Sequence, residues 1–209
     1  MNEKMQVLFA KQTGHVLAAF TRTADSENKP KVVAATGGGL VVRQPTLVTA
    51  LSATIQEMIV PAEALDLSVV DFDSAVFGSP REYVEGGGKI AKLGPDTLLS
   101  VSTPPPASSP TTLVSSPEVS FSTTRLAIQI PTNTADEKGV CVILEEKAPL
   151  PGVAPERRVA QGKIATGTHF ISLDWKTSPD GSPVSVPSGS YFVLALLAGC
   201  QPLFRTITL

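Results

Sequence analysis

The chain has 209 residues, 42% of them hydrophobic, 17% charged and 5% aromatic, which suits one large or two small globular domains and excludes wholesale disorder. Its formal net charge of −2 leaves no polybasic stripe to neutralise phosphates or anionic lipid, so nucleic-acid and membrane-surface binding lose their main driving term. The 16 glycines and 18 prolines point to many turns and short strands.

Met1 to Lys4 precede an apolar run from Met5 to Ala10 that Lys11 interrupts; the run is too short for a signal h-region, and no secretion signal is expected. Within it Met5, Val7 and Phe9 alternate onto one face. Gln12, Thr13 and Gly14 make a short loop, and Val16, Ala18 and Phe20 continue beyond it. The pattern is a hairpin closed through a left-handed glycine. Strands are predicted at Lys31 to Thr36 and at Leu40 to Arg43, with Gly37 to Gly39 between them, giving a meander. Thr46 to Met58 fits two periods: Leu47, Leu51, Ile55 and Met58 form a helical stripe, while the first three also fit alternation. Leu65, Leu67 and Val69 alternate with Asp66 and Ser68 until Phe72 falls out of phase, which predicts a bulge near Val70. Short strands near Tyr83 and Leu98 complete a small β-rich N-terminal domain, residues 1–102.

From Thr103 to Glu118 the sequence TPPPASSPTTLVSSPE has Pro, Ser or Thr at twelve of sixteen positions. Consecutive prolines fix φ and favour extended polyproline II, so 103–118 reads as a stiff linker. A Pro-rich ligand would want a flanking Arg or Lys, which is missing. Residues 119–209 then carry strand patterns at Leu126 to Ile130, Val140 to Leu144, Ile171 to Trp175 and Leu203 to Leu209, with a turn at Ser178 to Gly181 in which Gly181 is expected to accept a positive φ. Tyr191 to Ala198 is apolar on both faces, as a central strand would be. At eight residues it is far short of the roughly 20 that a spanning helix needs, so membrane insertion is not expected. Roughly seven strands in about 90 residues predict an antiparallel β-sandwich.

The stretch Pro187, Ser188, Gly189, Ser190, Tyr191, Phe192, Val193 resembles the Gly-x-Tyr entry to the penultimate strand of immunoglobulin-like and fibronectin-type modules, where a tyrosine corner ties that strand down. The resemblance covers only the C-terminal half and implies an immunoglobulin-like sandwich there. It departs from antibody-type domains, since Val193 stands where their second Cys would be and Trp175 lies too late for their core Trp.

Motifs that carry chemistry are incomplete. Gly86, Gly88 and Ala91 satisfy G-x-G-x-x-A, but Gly94 and Pro95 stop any helix that should follow, so tight turns are the expected use of both glycine triplets. His15 and His169 stand apart from one another and from any acid at ligand spacing, and solvated strand-end positions are expected for both. Cys200 with His169 would be the only nucleophilic dyad, unsupported by a local motif. Cys141 and Cys200 are expected to be reduced and buried. Asp71 and Asp73 share a strand face with Glu63 and Asp66 upstream, but no calcium loop closes around them. Glu145, Glu146 and Lys147 and the pair Arg157 and Arg158 bracket the loop APLPGVAPE, which reads as a long exposed connection, either inert or open to partner contact.

The sequence therefore leads to a mainly β, two-domain protein without catalytic, metal or cofactor residues. Its expected role is that of a non-enzymatic structural or adaptor subunit, cytoplasmic or built into a larger particle, phage-like or otherwise bacterial by analogy of fold. Its expected partners are other protein subunits, in an oligomer or hetero-assembly. Val7, Phe9 and Phe20 are the candidate partner-binding residues, on a hairpin edge at Met5 to Arg22 that can accept an added strand. A carbohydrate or small-ligand module and a hydrolase are the alternatives.

Overall fold

The computed structural model describes residues 3–21, 39–49, 52–94, 98–102, 113–147, 154–178 and 180–209, the side chains of 44–54 excepted. Its strands, in chain order, are β1 (Lys4–Ala10), β2 (Val16–Thr21), β3 (Gly39–Thr49), β4 (Ser52–Pro61), β5 (Leu65–Asp71), β6 (Tyr83–Gly86), β7 (Lys89–Lys92) and β8 (Ser100–Ser102). Beyond the Pro/Ser/Thr stretch follow β9 (Glu118–Phe121), β10 (Arg125–Gln129), β11 (Lys138–Glu146), β12 (Arg157–Ile164), β13 (Phe170–Asp174), β14 (Ser190–Leu197) and β15 (Leu203–Thr208). The protein is mainly β, as expected, and nearly all its strand pairs are antiparallel. Among the described residues no helix is long and apolar enough to cross a membrane.

Three sheets stack in layers. An outer sheet has the order β13-β10-β9-β8, a central sheet the order β12-β11-β14-β15, and an N-terminal sheet the order β2-β1-β5. The central sheet is buried on both faces because its two inner strands carry unbroken apolar runs, Val140 to Leu144 in β11 and Tyr191 to Leu197 in β14. Val140, Val142 and Leu144 of β11, with Val193, Ala195 and Leu197 of β14, join Val119, Leu126 and Ile128 of the outer sheet in one cluster. Cys141, Ile143, Leu194 and Leu196, one residue out of phase, face the other way and meet Leu8, Ala10, Leu17 and Leu65 of the N-terminal half. Alternation by twos sends successive side chains to opposite faces, so an unbroken apolar run is what a strand with a core on each side requires. Each such Leu, Ile or Val withdrawn from water contributes roughly 1.5–3 kcal/mol.

β1 repeats the arrangement one layer out. Leu8 and Ala10 point to the central sheet, while Met5 and Val7 meet Val16, Val70 and Val76 in a third cluster. Val76 comes from a single helical turn, Ser74–Gly78, capped by the Asp73 side chain, which accepts from the main-chain N–H of Ala75. The β6–β7 hairpin closes through Gly87 and Gly88 at φ +63° and +80°, the two left-handed positions of a tight hairpin turn. The second glycine triplet is thus a turn. Just beyond β13, Trp175 is fully buried, stacks on Phe121 of the outer sheet and donates its indole N–H to the Ser122 carbonyl at 2.9 Å.

Of the two periods left open for Thr46 to Met58, the strand is the one observed: β3 and β4 pair from Gly39↔Pro61 to Thr49↔Ser52, which buries Leu40, Val42, Met58 and Val60 on one face. Other local expectations are corrected. The bulge expected near Val70 is absent, since β5 pairs with β1 in unbroken register from Ala10↔Leu65 to Lys4↔Asp71. The register shift falls instead between Leu8 and Phe9 in the β1–β2 pair. Phe72 leaves the alternation because the strand has ended. Gly181 closes its turn by donating to the Ser178 carbonyl without adopting a positive φ. The strand expected at 31–36 lies outside the described residues.

The expected boundary at 102/103 does not coincide with a break between sheets. Thr103 to Thr112 lie outside the described residues, but β8, before them, pairs in parallel with β9, after them, and Leu99 is buried in the cluster between the outer and central sheets. Glu118, placed in the linker by composition, begins β9. The two halves are joined by a shared sheet and a shared apolar cluster as well as by the chain itself.

Candidate protein-docking surface

Val7, Phe9 and Phe20 do not form a free surface. Val7 is fully buried in the cluster with Met5 and Val16, half-buried Phe9 packs against the same cluster, and half-buried Phe20 packs against the cluster facing the central sheet. β1 lies between β2 and β5 and is paired on both sides, so its backbone cannot accept an added strand. The alternation of Met5, Val7 and Phe9 correctly marked one apolar face. Leu8 and Ala10 make the other face apolar too, and a strand with two apolar faces belongs inside a stack.

The titratable groups are committed to the fold. His15 is fully buried, with Nε2 2.7 Å from the Cys200 carbonyl oxygen and Nδ1 2.8 Å from Thr13 Oγ1, not solvated at a strand end as expected. Burial pushes its pKa below the usual 6.5, against a smaller upward pull from the Cys200 carbonyl. The half-buried His169 places Nδ1 2.9 Å from Asn133 Oδ1. The histidine that touches Cys200 is therefore His15, and it touches the main chain. Cys141 and Cys200 are free thiols in clusters on opposite sides of the central sheet. Burial raises both, Cys141 to about 11 despite a hydrogen bond from Gln161, and Cys200 despite nearby Lys138.

The carboxylates are likewise engaged. Asp71 pairs with Lys4 at 2.6 Å on the surface, and Asp73 caps the helical turn. They border an open cleft of about 620 Å³ with Phe72, Lys89 and Ile90. Buried Glu145 accepts from Arg157 Nε at 2.7 Å and from the main-chain N–H of Ile59 at 3.3 Å. Of the loop between Lys147 and Arg157, residues 148–153 lie outside the described residues. Among the described residues no three His, Cys, Asp or Glu side chains converge on a metal site.

Among the described elements with exposed large apolar side chains, which also include Val69, Phe72, Phe77, Leu98 and Leu113, the β3–β4 hairpin carries two on one face. Eleven residues of β3 extend over about 35 Å at the usual rise per residue. Its inner face is rooted by Leu40, Val42, Met58 and Val60 in the cluster against the central sheet. Two hydrogen bonds add to this seat, from Ile59 to Glu145 and from Gln56 Nε2 to Thr206 Oγ1 on β15. The opposite face carries Val41 at 38% and Ile55 at 67% exposure, with the cross-strand pair Arg43 and Glu57 between them at 2.7 Å. That exposed pair contributes little stability; its effect is a polar spot on an otherwise apolar strip. The sequence held a signal for this element, the in-phase alternation of Leu40, Val42, Met58 and Val60, but the competing helical stripe obscured it.

Comparison of the chain with protein-family models, with curated proteins and with solved structures gave no match.

Proposed function

We propose that this chain is a non-enzymatic structural or adaptor subunit of a larger protein assembly, acting through protein–protein contacts. The observation that carries this reading is the β3–β4 hairpin: one face fixed in the core, the other offering Ile55 and Val41 to solvent. A largely apolar, outward face on a paired ribbon suits partner contact better than it suits solvent.

The same reading takes the C-terminal half as an immunoglobulin-like sandwich. Support comes from the partition of β9 to β15. The first, second and fifth of these strands fall in one sheet and the third, fourth, sixth and seventh in the other. This differs from the constant-type immunoglobulin partition only in the sheet that takes the fourth strand. Further support comes from Tyr191, whose hydroxyl donates to the Pro187 carbonyl at 2.7 Å, the bond that defines a tyrosine corner.

The alternatives draw less support. A carbohydrate platform draws best on exposed Trp and Tyr rings, whereas Trp175 and Tyr191 are buried and the exposed rings are the phenylalanines Phe72 and Phe77, which carry no polar group. A cysteine nucleophile needs a thiolate beside a base, whereas burial raises both thiols and His15 engages the Cys200 carbonyl oxygen. A photo-cross-linking residue at position 55, in the organism that makes the protein, tests the proposal, with position 174 on the outer sheet as control. A protein adduct at 55 and none at 174 supports it. Absence of an adduct at 55, with a native mass equal to one chain at all concentrations, overturns it.

A further inference from the structure

We propose that His15 is an acid-sensitive latch: when the ring gains a second proton, the Lys11 to His15 loop and the N-terminal sheet behind it separate from the central sheet, uncovering the apolar face that holds Cys141, Ile143, Leu194 and Leu196. The geometry sets up a neutral ring. A carbonyl oxygen only accepts, so the bond to Cys200 places a hydrogen on Nε2. Nδ1 is then the acceptor, and the Thr13 hydroxyl donates to it. Both ring nitrogens are satisfied, and no surface is exposed through which water could hydrate a cation.

A second proton, on Nδ1, would leave a full charge in that place. The ionisable groups around it offer no compensation. On its own loop the ring meets only the hydroxyl of Thr13. From the β14–β15 turn comes the Cys200 thiol, and from the start of β11 comes Lys138, close enough to that turn to influence the thiol. From β6 the main chain of Glu85 lies against Gly14, while its carboxylate accepts from the main-chain N–H of Gly88 at 2.7 Å. An unpaired buried charge is relieved by neutralising or by opening.

The loop has no slack with which to rearrange around a charged ring in place. The Gln12 oxygen lies against Gly139 of β11, and the main chain of Glu85 lies against Gly14, where the Glu85 N–H donates to the Gly14 carbonyl at 2.7 Å. Opening is therefore the available relief. Burial holds the folded-state pKa below the 6.5 of a free imidazole. For a group lowered on folding, docking is at full strength above about 6.5 and is lost as pH falls below that value.

Hydrogen–deuterium exchange of the intact chain at pH 7.5, 6.0 and 5.0, corrected for intrinsic exchange, tests the latch. The expected result is that β1 loses about tenfold protection for each pH unit between 6.5 and the folded-state pKa, while β9 and β10 keep theirs. His15→Gln, which can keep both hydrogen bonds and does not titrate, should flatten this response, and His169→Gln should not. Equal protection of β1 at all three pH values, or the same loss in His15→Gln, overturns the latch. Should His15→Gln fail to fold, an NMR titration of His15 in the unmodified chain decides the matter: a pKa at or above 6.5 overturns it.

Discussion

The main-chain oxygen of Gln12, in the β1–β2 loop, occupies the place where a β-carbon on residue 139, at the start of β11, would stand. Only glycine lets the two halves approach this closely, so Gly139→Ala must push the loop away. The expected loss is roughly 1–3 kcal/mol, the usual cost of forcing extra volume into a packed site. Gly86→Ala, with open space around its added methyl, should change stability by no more than about 0.5 kcal/mol. Urea denaturation midpoints of the two variants check the contrast.

Because β8 pairs with β9 and one cluster spans the N-terminal and central sheets, the halves should hold together without a covalent link. A specific protease site inserted between Ser108 and Ser109 should give, after cleavage, two pieces that co-elute on size exclusion and separate only in denaturant. Separation in native buffer would mean that the shared cluster is too weak to hold the halves.

Cys141 and Cys200 lie in different clusters with a sheet between them, and no disulfide joins them. With its pKa near 11, Cys141 is ionised in only about one molecule in 1,000 at pH 8. Alkylation at pH 8 followed by mass spectrometry should leave both thiols unlabelled in native protein and label both in urea. Rapid native labelling of Cys141 would contradict its burial.

Glu145 joins the hairpin seat to β12 by accepting from both Ile59 and Arg157. Glu145→Gln keeps an acceptor for Ile59 and should cost about 1 kcal/mol; Glu145→Ala leaves both donors without it and should cost about 2–3 kcal/mol. A double-mutant cycle with Arg157→Met should show coupling, since the two groups are in contact.

Removing the Tyr191 hydroxyl as Tyr191→Phe deletes its bond to Pro187 while keeping the ring in the core. The expected loss is about 0.5–1.5 kcal/mol, read as a lower melting temperature. An unchanged melting temperature would show that this bond does not tie down β14.

Strand identity was legible where the pattern was local. The unbroken apolar run of β14 announced a central strand, and Gly87 and Gly88 announced their turn, because each depends on neighbours in sequence. Thr46 to Met58 was ambiguous because Leu47, Leu51 and Ile55 satisfy two periods at once, and only the cross-strand register of Val42 with Met58 settles it. The burial of Val7 and of β1 was missed for a related reason. Val7 and Phe9 read as one apolar face, while burial of the other face depends on Ile143 and Leu196, more than a hundred positions away.

What the sequence determined by itself was class and chemistry: a β-rich chain of low charge, tight glycine turns, and two histidines far from any completed motif. Tertiary structure alone decided that the halves share a core and that His15 faces the Cys200 carbonyl across 185 positions. It also decided that β3 and β4 turn an apolar strip outward. Alternation tells a side chain which face it shares with its neighbours, but which sheet covers that face is set by contacts between distant segments, and local sequence does not encode them.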